Sequence, residues 1–422
     1  MKTILIYLIG IAQVLCFSST NAQPSEANYD ESKVPAYTLP DVLVLENGEH
    51  VVSENQWINF RRTEILHLFE NDVYGKTPDK KVEFTFTTTK TVTNFMGGKA
   101  TLKEVDLQLQ TAVDVPIIHL LVIVPNDITG PAPAFVGLNF DGNQTIDAST
   151  EITLAKIWDM ETRKSYIASE EIRGDAKTRW PLEQIIDRGY AVITAYYGDI
   201  DPDFYDGFKN GIHPAFDDQR NESSWASIGA WAWGLSRMLD YAGTDPAIDQ
   251  EKVAVIGHSR LGKTALWAGA QDQRFAMVIS NCSGCGGAAL SRREYGETIQ
   301  RITTVFPHWF CGKLASYGTK INELPIDQHE LIALIAPRPV YIASAEDDQW
   351  ADPRGEFLSA VAASPVYELL GTDGFPAKDM PEVNQPVIGQ IGYHIRTGKH
   401  DITTYDWEQY LDFADRYMKS TE

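Results

Sequence analysis

The distribution of apolar residues changes along the chain and predicts two kinds of β-strand. In residues 82–87 and 102–109 apolar and polar side chains alternate, as in antiparallel strands with one buried face, and Gly97 and Gly98 mark a turn between them. Farther along, apolar residues form short continuous runs, which are typical of strands buried on both faces of a parallel sheet. These runs cover residues 117–124, 134–138, 190–195, 253–256, 277–280 and 340–343.

Apolar residues at helical spacing occupy the intervals between these runs. The segments are residues 55–70, 225–241, 260–270, 327–335 and 404–418. Strands that alternate with helices predict a doubly wound α/β domain, with a mostly parallel sheet, helices on both faces and antiparallel strands at its N-terminal end. Residues 141–186 and 199–224 are longer insertions rich in polar and aromatic residues, and loops of this length often carry a binding surface.

The N-terminal segment predicts a cleavable signal peptide over residues 1–22. One lysine precedes an apolar core that ends near Phe17, which is too short for a membrane span, and small residues precede Gln23. We therefore expect a secreted or periplasmic monomer without a membrane span, in which residues 23–422 form a single domain with an extended N-terminal arm. A formal net charge of −22 argues against nucleic acid and anionic membrane surfaces as partners.

The segment Val253–Trp267 carries the most informative motif, which is a strand, a serine flanked by glycines and an amphipathic helix. A strand that turns abruptly into a helix can hold a serine on an exposed corner only if the neighbouring residues are small. Gly257 and Gly262 bracket Ser259, although Leu261 occupies the usual position of the second glycine. The competing interpretation is an ordinary turn with a serine N-cap. Because strand, serine, glycines and helix all agree, we predict a nucleophile elbow.

An elbow serine needs a histidine base, which in this fold follows both the serine and the acid in sequence. Four histidines follow Ser259. His308 lies in an aromatic segment, His329 at the start of a helix and His394 in the last predicted strand. His400 lies in a loop between that strand and the C-terminal helix, where α/β-hydrolases present their base. We therefore assign His400 as the base.

The acid of the triad is expected at the end of a strand on the same edge of the sheet. The strand at residues 340–343 runs directly into an acidic loop that contains Glu346, Asp347, Asp348 and Asp352. Most carboxylates in such a loop are expected to be solvated. The pattern favours Asp347 or Asp348 as the acid and does not separate them.

Several motifs, taken in order, resemble those of the bacterial glucuronoyl esterases of the α/β-hydrolase superfamily. They are the segments 72–78, 257–263, 281–293, 295–297, 306–310 and 348–353. The likeness covers nearly the whole chain after the leader. It implies a serine esterase that uses no metal or cofactor and cleaves the ester between 4-O-methylglucuronic acid of glucuronoxylan and the alcohols of lignin.

The resemblance also implies a role for individual residues around the elbow. Arg260 would help to hold the oxyanion beside the nucleophile Ser259. Lys263 and Glu297 would hydrogen-bond the hydroxyls of the sugar, and Trp350 would cover its ring. The ordinary alternatives are a solvated helix lysine, a surface glutamate and a tryptophan that anchors a loop.

One departure from the family pattern bears on the acid. Many relatives carry their catalytic glutamate at the position that Cys282 occupies here, and a neutral thiol cannot orient an imidazole as a carboxylate does. Other bacterial relatives place the acid at the later strand end, next to the binding tryptophan, and this comparison selects Asp348. Cys282, Cys285 and Cys311 remain after removal of the leader, so at most one disulfide can form among them.

Two other functions stay open at the level of sequence. An acetyl-xylan esterase or another carbohydrate esterase could use the same scaffold, although an acetyl group needs no sugar-facing set such as Lys263, Glu297 and Trp350. A non-catalytic glycan-binding protein is the other alternative, and the complete triad of Ser259, His400 and Asp348 argues against it.

Overall fold

The structure is a computed structural model that describes residues 27–216 and 219–419. The predicted signal peptide lies outside these ranges, so the leader stays a prediction. Within them, none of the helices combines the length and the apolar composition that crossing a membrane requires.

The order of strands and helices along the chain follows the predicted alternation. The strands are β1 (Phe84–Phe95), β2 (Ala100–Leu109), β3 (Ile118–Pro125), β4 (Ala132–Asn139), β5 (Lys156–Asp159), β6 (Lys164–Ile167), β7 (Ala191–Tyr196), β8 (Ile248–His258), β9 (Met277–Asn281), β10 (Val340–Ala345) and β11 (Ile391–Arg396). The α-helices are α1 (Glu54–Gln56), α2 (Arg62–Asp72), α3 (Leu182–Asp187), α4 (Ser227–Ala242), α5 (Arg260–Gln271), α6 (Ile299–Val305), α7 (Gln328–Ala333), α8 (Pro353–Leu369) and α9 (Thr404–Met418). A π-helical turn, Trp57–Arg61, joins α1 to α2.

In the described part of the chain, nine strands form one sheet in the order β1-β2-β3-β7-β4-β8-β9-β10-β11. In the order of the sheet, β1, β2, β3 and β7 pair antiparallel with their neighbours. From β7 onwards, through β4, β8, β9 and β10 to β11, neighbouring strands pair parallel. This arrangement confirms the predicted mostly parallel sheet with an antiparallel lead-in. It also explains the two sequence patterns, since β1 is half-exposed whereas β7, β9, β10 and β11 are buried along their whole length.

Helices cover both faces of the sheet and create two apolar cores. Successive residues of a strand point to opposite faces, so Val253 and Val255 of β8 belong to the core under α4, α5, α7 and α8. Ala254 and Ile256 belong to the core under α3 and α9. Burial on both sides requires apolar side chains at every position, which is why the central strands read as continuous apolar runs.

The parallel strands bring several loops to one edge of the sheet. In the register of the sheet, His258 at the end of β8 pairs with Asn281 of β9, and Ala345 at the end of β10 pairs with Arg396 of β11. The residues that follow these strand ends therefore converge. In doubly wound sheets this carboxyl edge is where ligands bind.

The structure contains features that the sequence did not predict, among them helices α3, α6 and α8. The insertion over residues 141–186 is not all loop, because its short segments β5 and β6 pair as a separate two-stranded sheet. Polar and aromatic residues mask the strand pattern there. In addition, Cys282, Cys285 and Cys311 are all buried and unpaired, so no disulfide forms among the described residues.

Candidate active site

The turn between β8 and α5 holds Ser259 in a strained backbone conformation. Its φ is 58° and its ψ is −127°, in a region that residues with a side chain rarely adopt. A Cβ atom on Gly257 would lie 1.9 Å from the carbonyl oxygen of Leu261, so only glycine fits there. Leu261 itself packs into the core, which shows why the elbow tolerates leucine in place of the usual second glycine. The amide of Ser259 donates to the carbonyl of Asn281 at 2.9 Å and fixes the corner against β9.

His400 and Asp348 meet at the same edge of the sheet. Nδ1 of His400 lies 2.6 Å from Oδ2 of Asp348. The aspartate side chain is only 4% exposed, whereas that of the histidine is 38% exposed. A carboxylate at this distance accepts a hydrogen bond from Nδ1–H, so Nε2 is the ring nitrogen left to exchange a proton during a reaction.

A buried network fixes the loop that carries His400. Arg396, at the end of β11, donates from Nε to Oδ2 of Asp406 at 2.7 Å and from Nη2 to the carbonyls of Lys399 and Asp401 at 3.0 and 2.5 Å. Burial raises the pKa of Asp406, but hydrogen bonding from His394 and the charge of Arg396 outweigh it and hold the pKa below its usual value. The ionised carboxylate anchors both α9 and the loop.

His258, the residue before the elbow serine, supports the imidazole of His400 from behind. The two ring centroids are 4.6 Å apart. Nδ1 of His258 lies 2.6 Å from Oδ1 of Asn281. Burial, and then the nearby charge of His400, lower the pKa of His258 far below its usual value, so this ring stays neutral at physiological pH. A neutral ring can pack against an imidazolium that forms during a reaction without repelling it.

Cys282 lies beside the pair formed by His400 and Asp348. Its backbone has a φ of 46°, its side chain is buried, and burial together with the charge of Asp348 raises the pKa of its thiol well above the usual range. The possible ligand atoms of Cys282, Asp348 and His400 lie within 4.8 Å of one another, and this is the group in the described residues that could hold a metal ion. A metal would have to displace both the thiol proton and the hydrogen bond between His400 and Asp348.

Arg260, the residue after the elbow serine, is held by an acid that sequence reasoning missed. Its Nη1 donates to Oδ2 of Asp203 at 2.6 Å, and its guanidinium lies 5.0 Å from the ring centroid of Trp309. Asp203 also receives hydrogen bonds from His308 and Trp309 at 2.9 and 2.5 Å. Burial raises the pKa of Asp203, but the hydrogen bond from His308 and the charge of Arg260 hold it below its usual value. The sequence analysis noted the insertion that contains Asp203. It gave no local signal for the contact of Asp203 with Arg260, which lies 57 residues farther along the chain.

Lys263, Glu297 and Trp350 lie together next to the elbow helix. Lys263 is buried and donates from Nζ to the carbonyl of Ser283, so it is not a solvated helix lysine. Burial lowers its pKa, and Glu297 opposes this shift. Burial raises the pKa of Glu297, and Lys263, His400 and a hydrogen bond from the Trp350 side chain oppose the shift. The buried Lys263 ammonium and the half-buried Glu297 carboxylate therefore lie within electrostatic reach of each other, and Trp350 is hydrogen-bonded to the carboxylate.

The other candidate residues have different surroundings. Asp347 is exposed, and Asp352 caps α8 and pairs with Arg293 at 2.8 Å. His329 lies 2.9 Å from the carbonyl of Pro40, and His394 lies in β11 against Asp406. These two histidines and Asp352 are therefore engaged in structural contacts.

The fold together with this arrangement defines the class of the protein as an α/β-hydrolase. A serine stands on a strand-to-helix turn, an aspartate follows a later strand and a histidine follows the last strand, all at the carboxyl edge of one sheet.

Comparison with known proteins narrows this class. A family described as glucuronyl esterase, fungi, matches residues 180–371. Carbohydrate esterase MZ0003, from an unknown prokaryotic organism, is 52% identical over 94% of this chain and 93% of its own length. The structure of a promiscuous CE15 esterase from a marine bacterial metagenome is 51% identical, covers 93% of this chain and 100% of its own, and has a TM-score of 0.87. The glucuronoyl esterase from Solibacter usitatus is 45% identical, with 92% and 100% coverage and a TM-score of 0.88.

The chain belongs to the glucuronoyl esterases of carbohydrate esterase family 15. The protein is thus a carboxylic ester hydrolase, and both the resemblance seen in the sequence and the predicted fold are confirmed.

Proposed function

We propose that this protein is a secreted serine esterase that hydrolyses the ester between glucuronic acid units of glucuronoxylan and lignin alcohols. The observation that carries the proposal is the contact of 2.6 Å between His400 and Asp348 at the edge where the elbow presents Ser259. Membership of the glucuronoyl esterases supports the substrate class.

The proposed reaction uses Ser259 as the nucleophile and His400 as the general base. His400 takes the serine proton as the oxygen attacks the ester carbonyl, and Asp348 stabilises the imidazolium that results. His400 then returns the proton to the departing alcohol, which leaves an acyl-enzyme on Ser259. Water, activated by the same histidine, releases the glucuronate.

Arg260 is the proposed side-chain donor to the oxyanion. Among the residues that the structure describes, its Nε–H is buried and has no hydrogen-bond partner, while Asp203 holds the far side of the guanidinium. A donor fixed before the reaction stabilises the negative charge of the tetrahedral intermediate without reorganisation.

Lys263, Glu297 and Trp350 are the proposed contacts to the glucuronate. The buried ammonium of Lys263 lies 6.0 Å from the ring centroid of Trp309, and the Glu297 carboxylate is within electrostatic reach of it. The pair offers both donors and acceptors to sugar hydroxyls, and the indole of Trp350 offers an apolar face. An acetyl ester would leave this set without partners.

The test compares hydrolysis of benzyl glucuronate and of an acetylated xyloside by the purified enzyme, with Ser259→Ala as the inactive control. We expect the glucuronate ester to be cleaved far faster, because the polar set surrounds the acyl sugar. Equal or faster deacetylation would overturn the proposed substrate and favour a general carbohydrate esterase, a result that the promiscuous relative makes worth measuring. Full activity of Ser259→Ala would instead overturn the proposed mechanism.

A further inference from the structure

Three possible ligands of a metal ion converge where β9, β10 and β11 end. Cys282 follows β9, Asp348 follows β10 and His400 follows β11. The sulfur of the cysteine, a carboxylate oxygen of the aspartate and a ring nitrogen of the histidine all lie within 4.8 Å of one another. Because the three residues follow neighbouring strands of one sheet, the sheet holds them close together.

The main chain fixes the thiol beside the other two ligands. The amide of Cys282 donates to the carbonyl of Ala343 in β10 at 2.7 Å, and its Sγ donates weakly to the carbonyl of Asp401 at 3.9 Å. The residue keeps a φ of 46°, in the left-handed region that residues other than glycine seldom adopt. These contacts place the thiol against the loop that carries His400.

The chemistry of the three ligands is typical of zinc. A thiolate, an imidazole and a carboxylate suit Zn²⁺, whereas Mg²⁺ and Ca²⁺ take oxygen ligands. Nitrogen and oxygen ligands of a tetrahedral zinc ion are about 3.3 Å apart. The contact of 2.6 Å between Nδ1 of His400 and Oδ2 of Asp348 therefore has to open by less than about 1 Å.

Charge and access also suit a divalent cation. A zinc ion with one thiolate, one carboxylate and a neutral imidazole forms a cluster without net charge, which avoids the cost of a buried unpaired ion. Cys282 and Asp348 are buried, but the side chain of His400 is 38% exposed and leaves a path from solvent. Three protein ligands leave the fourth tetrahedral position to water.

We propose that Cys282, Asp348 and His400 form an inhibitory zinc site, at which the metal withdraws the acid and the base from the triad. On binding, the thiol of Cys282 loses its proton to solvent and its sulfur bonds the metal. The metal also takes the place of the proton on Nδ1 of His400, and the neutral imidazole then carries its proton on Nε2. One proton is released for each ion bound.

Inhibition follows from this change of tautomer. Nε2 of His400 is the nitrogen that accepts the proton of Ser259 in the proposed reaction, and a protonated Nε2 cannot accept it. The inhibition therefore rests on the proposed function, whereas binding of the metal does not.

The experiment titrates the hydrolysis of benzyl glucuronate with zinc chloride, with magnesium chloride as the metal control and EDTA to reverse the effect. The variants are Cys282→Ser, which replaces only the sulfur, and Cys311→Ser. The second is the matched control, because Cys311 is another buried free thiol and contacts the carbonyl of Asn71 at 3.7 Å. Each rate is expressed relative to the metal-free rate of the same variant.

We expect zinc to inhibit the wild type and Cys311→Ser equally, and magnesium to inhibit neither. Cys282→Ser should need about 10- to 100-fold more zinc, since even the loss of an outer-shell partner weakens metal binding by this factor. Equal sensitivity of Cys282→Ser and the wild type would overturn the proposal. Equal inhibition by magnesium, or no inhibition of the wild type by zinc, would also overturn it.

A binding measurement separates failure of the site from failure of the proposed function. If the wild type does not cleave the ester, the proposed function fails, and Co²⁺ then serves as a spectroscopic probe in place of Zn²⁺. A thiolate-to-cobalt charge-transfer band in the wild type and in Cys311→Ser that is missing in Cys282→Ser would support the metal site. A band that persists in Cys282→Ser, or no band in the wild type, would overturn it.

Discussion

Asp348 and Asp347 are adjacent carboxylates with opposite surroundings. The pattern of apolar residues could not separate them, because both follow the same strand and the pattern says nothing about how a loop turns, and the family resemblance alone selected Asp348. In the structure the side chain of Asp348 is buried against His400, whereas Asp347 is exposed. The choice between them therefore depends on the three-dimensional contact.

We predict that Asp348→Asn lowers kcat by about 10⁴-fold, because the amide no longer favours the reactive tautomer or stabilises the imidazolium. Asp347→Asn is the matched control and should change the rate little. Kinetics on benzyl glucuronate and thermal unfolding of both variants check this, since the folded state should persist. A fully active Asp348→Asn enzyme would move the role to Glu346 or Asp347.

Cys282 provides a second prediction about the acid. Its ligand atom lies within 4.8 Å of those of Asp348 and His400, so a carboxylate at this position is close enough to serve the same imidazole. We expect Cys282→Glu to restore part of the activity of Asp348→Asn, measured on the same ester. Cys282→Gln in the same background adds a similar volume without a charge and should restore nothing. Equal activity of the two double variants would show that the recovery is not electrostatic.

Lys263 and Trp350 should distinguish sugar recognition from catalysis. We predict that Lys263→Ala and Trp350→Ala raise KM for benzyl glucuronate much more than for a small activated ester without a sugar, because their proposed contacts are with the ring and its hydroxyls. Paired kinetics on the two esters measure this difference. A uniform loss on both would contradict the binding role and indicate damage to the triad or the fold.

Strands and helices whose apolar residues recur at a regular spacing were predicted well. Features that depend on contacts between distant parts of the chain were not. The buried strands and the helices α5, α7 and α9 follow directly from apolar runs and helical spacing, whereas α6 and α8 were not predicted. In the β5–β6 hairpin most side chains are exposed or half-exposed and Ile157 alone is buried, so burial leaves no alternating pattern in its sequence. The docking of the N-terminal arm was missed because it depends on hydrogen bonds from Gly296 and Tyr295, far along the chain, to the carbonyls of Asn28 and Tyr29.

Asp203 links three elements that surround the proposed oxyanion donor. It binds Arg260 at the start of α5 and both His308 and Trp309 from the segment after α6. We predict that Asp203→Asn lowers kcat by about 10- to 10²-fold with a smaller change in KM, because the guanidinium loses its fixed position and one such donor contributes up to 10³. Steady-state kinetics measure this split.

The control for Asp203→Asn is Asp379→Asn, which makes the same replacement of a carboxylate by an amide at an exposed position. It should match the wild type. An unchanged kcat in the Asp203→Asn enzyme would show that Arg260 keeps its position without its ion pair to Asp203.

One buried glutamate couples the stability of the protein to pH. Glu356 of α8 accepts hydrogen bonds from the amide of Gly284 at 2.9 Å and the hydroxyl of Ser344 at 2.6 Å, and so ties this helix to the ends of two central strands. Burial is the main cause that raises its pKa from 4.5 to about 8, and the nearby charge of Asp348 adds to it. The carboxyl group is therefore protonated in the folded protein at neutral pH.

The pKa of Glu356 is higher in the folded chain than in the unfolded one, which sets the sign of the effect. Its stabilising contribution is complete below pH 4.5 and is lost as the pH rises towards about 8, because the unfolded chain releases the proton first. We predict that Glu356→Gln, which resembles the protonated form, removes this loss and gains stability relative to the wild type as the pH rises from 5 to 8. Urea unfolding at intermediate pH values measures the difference, with the exposed Glu368→Gln on the same helix as control. A difference between Glu356→Gln and the wild type that stays constant with pH would contradict the raised pKa.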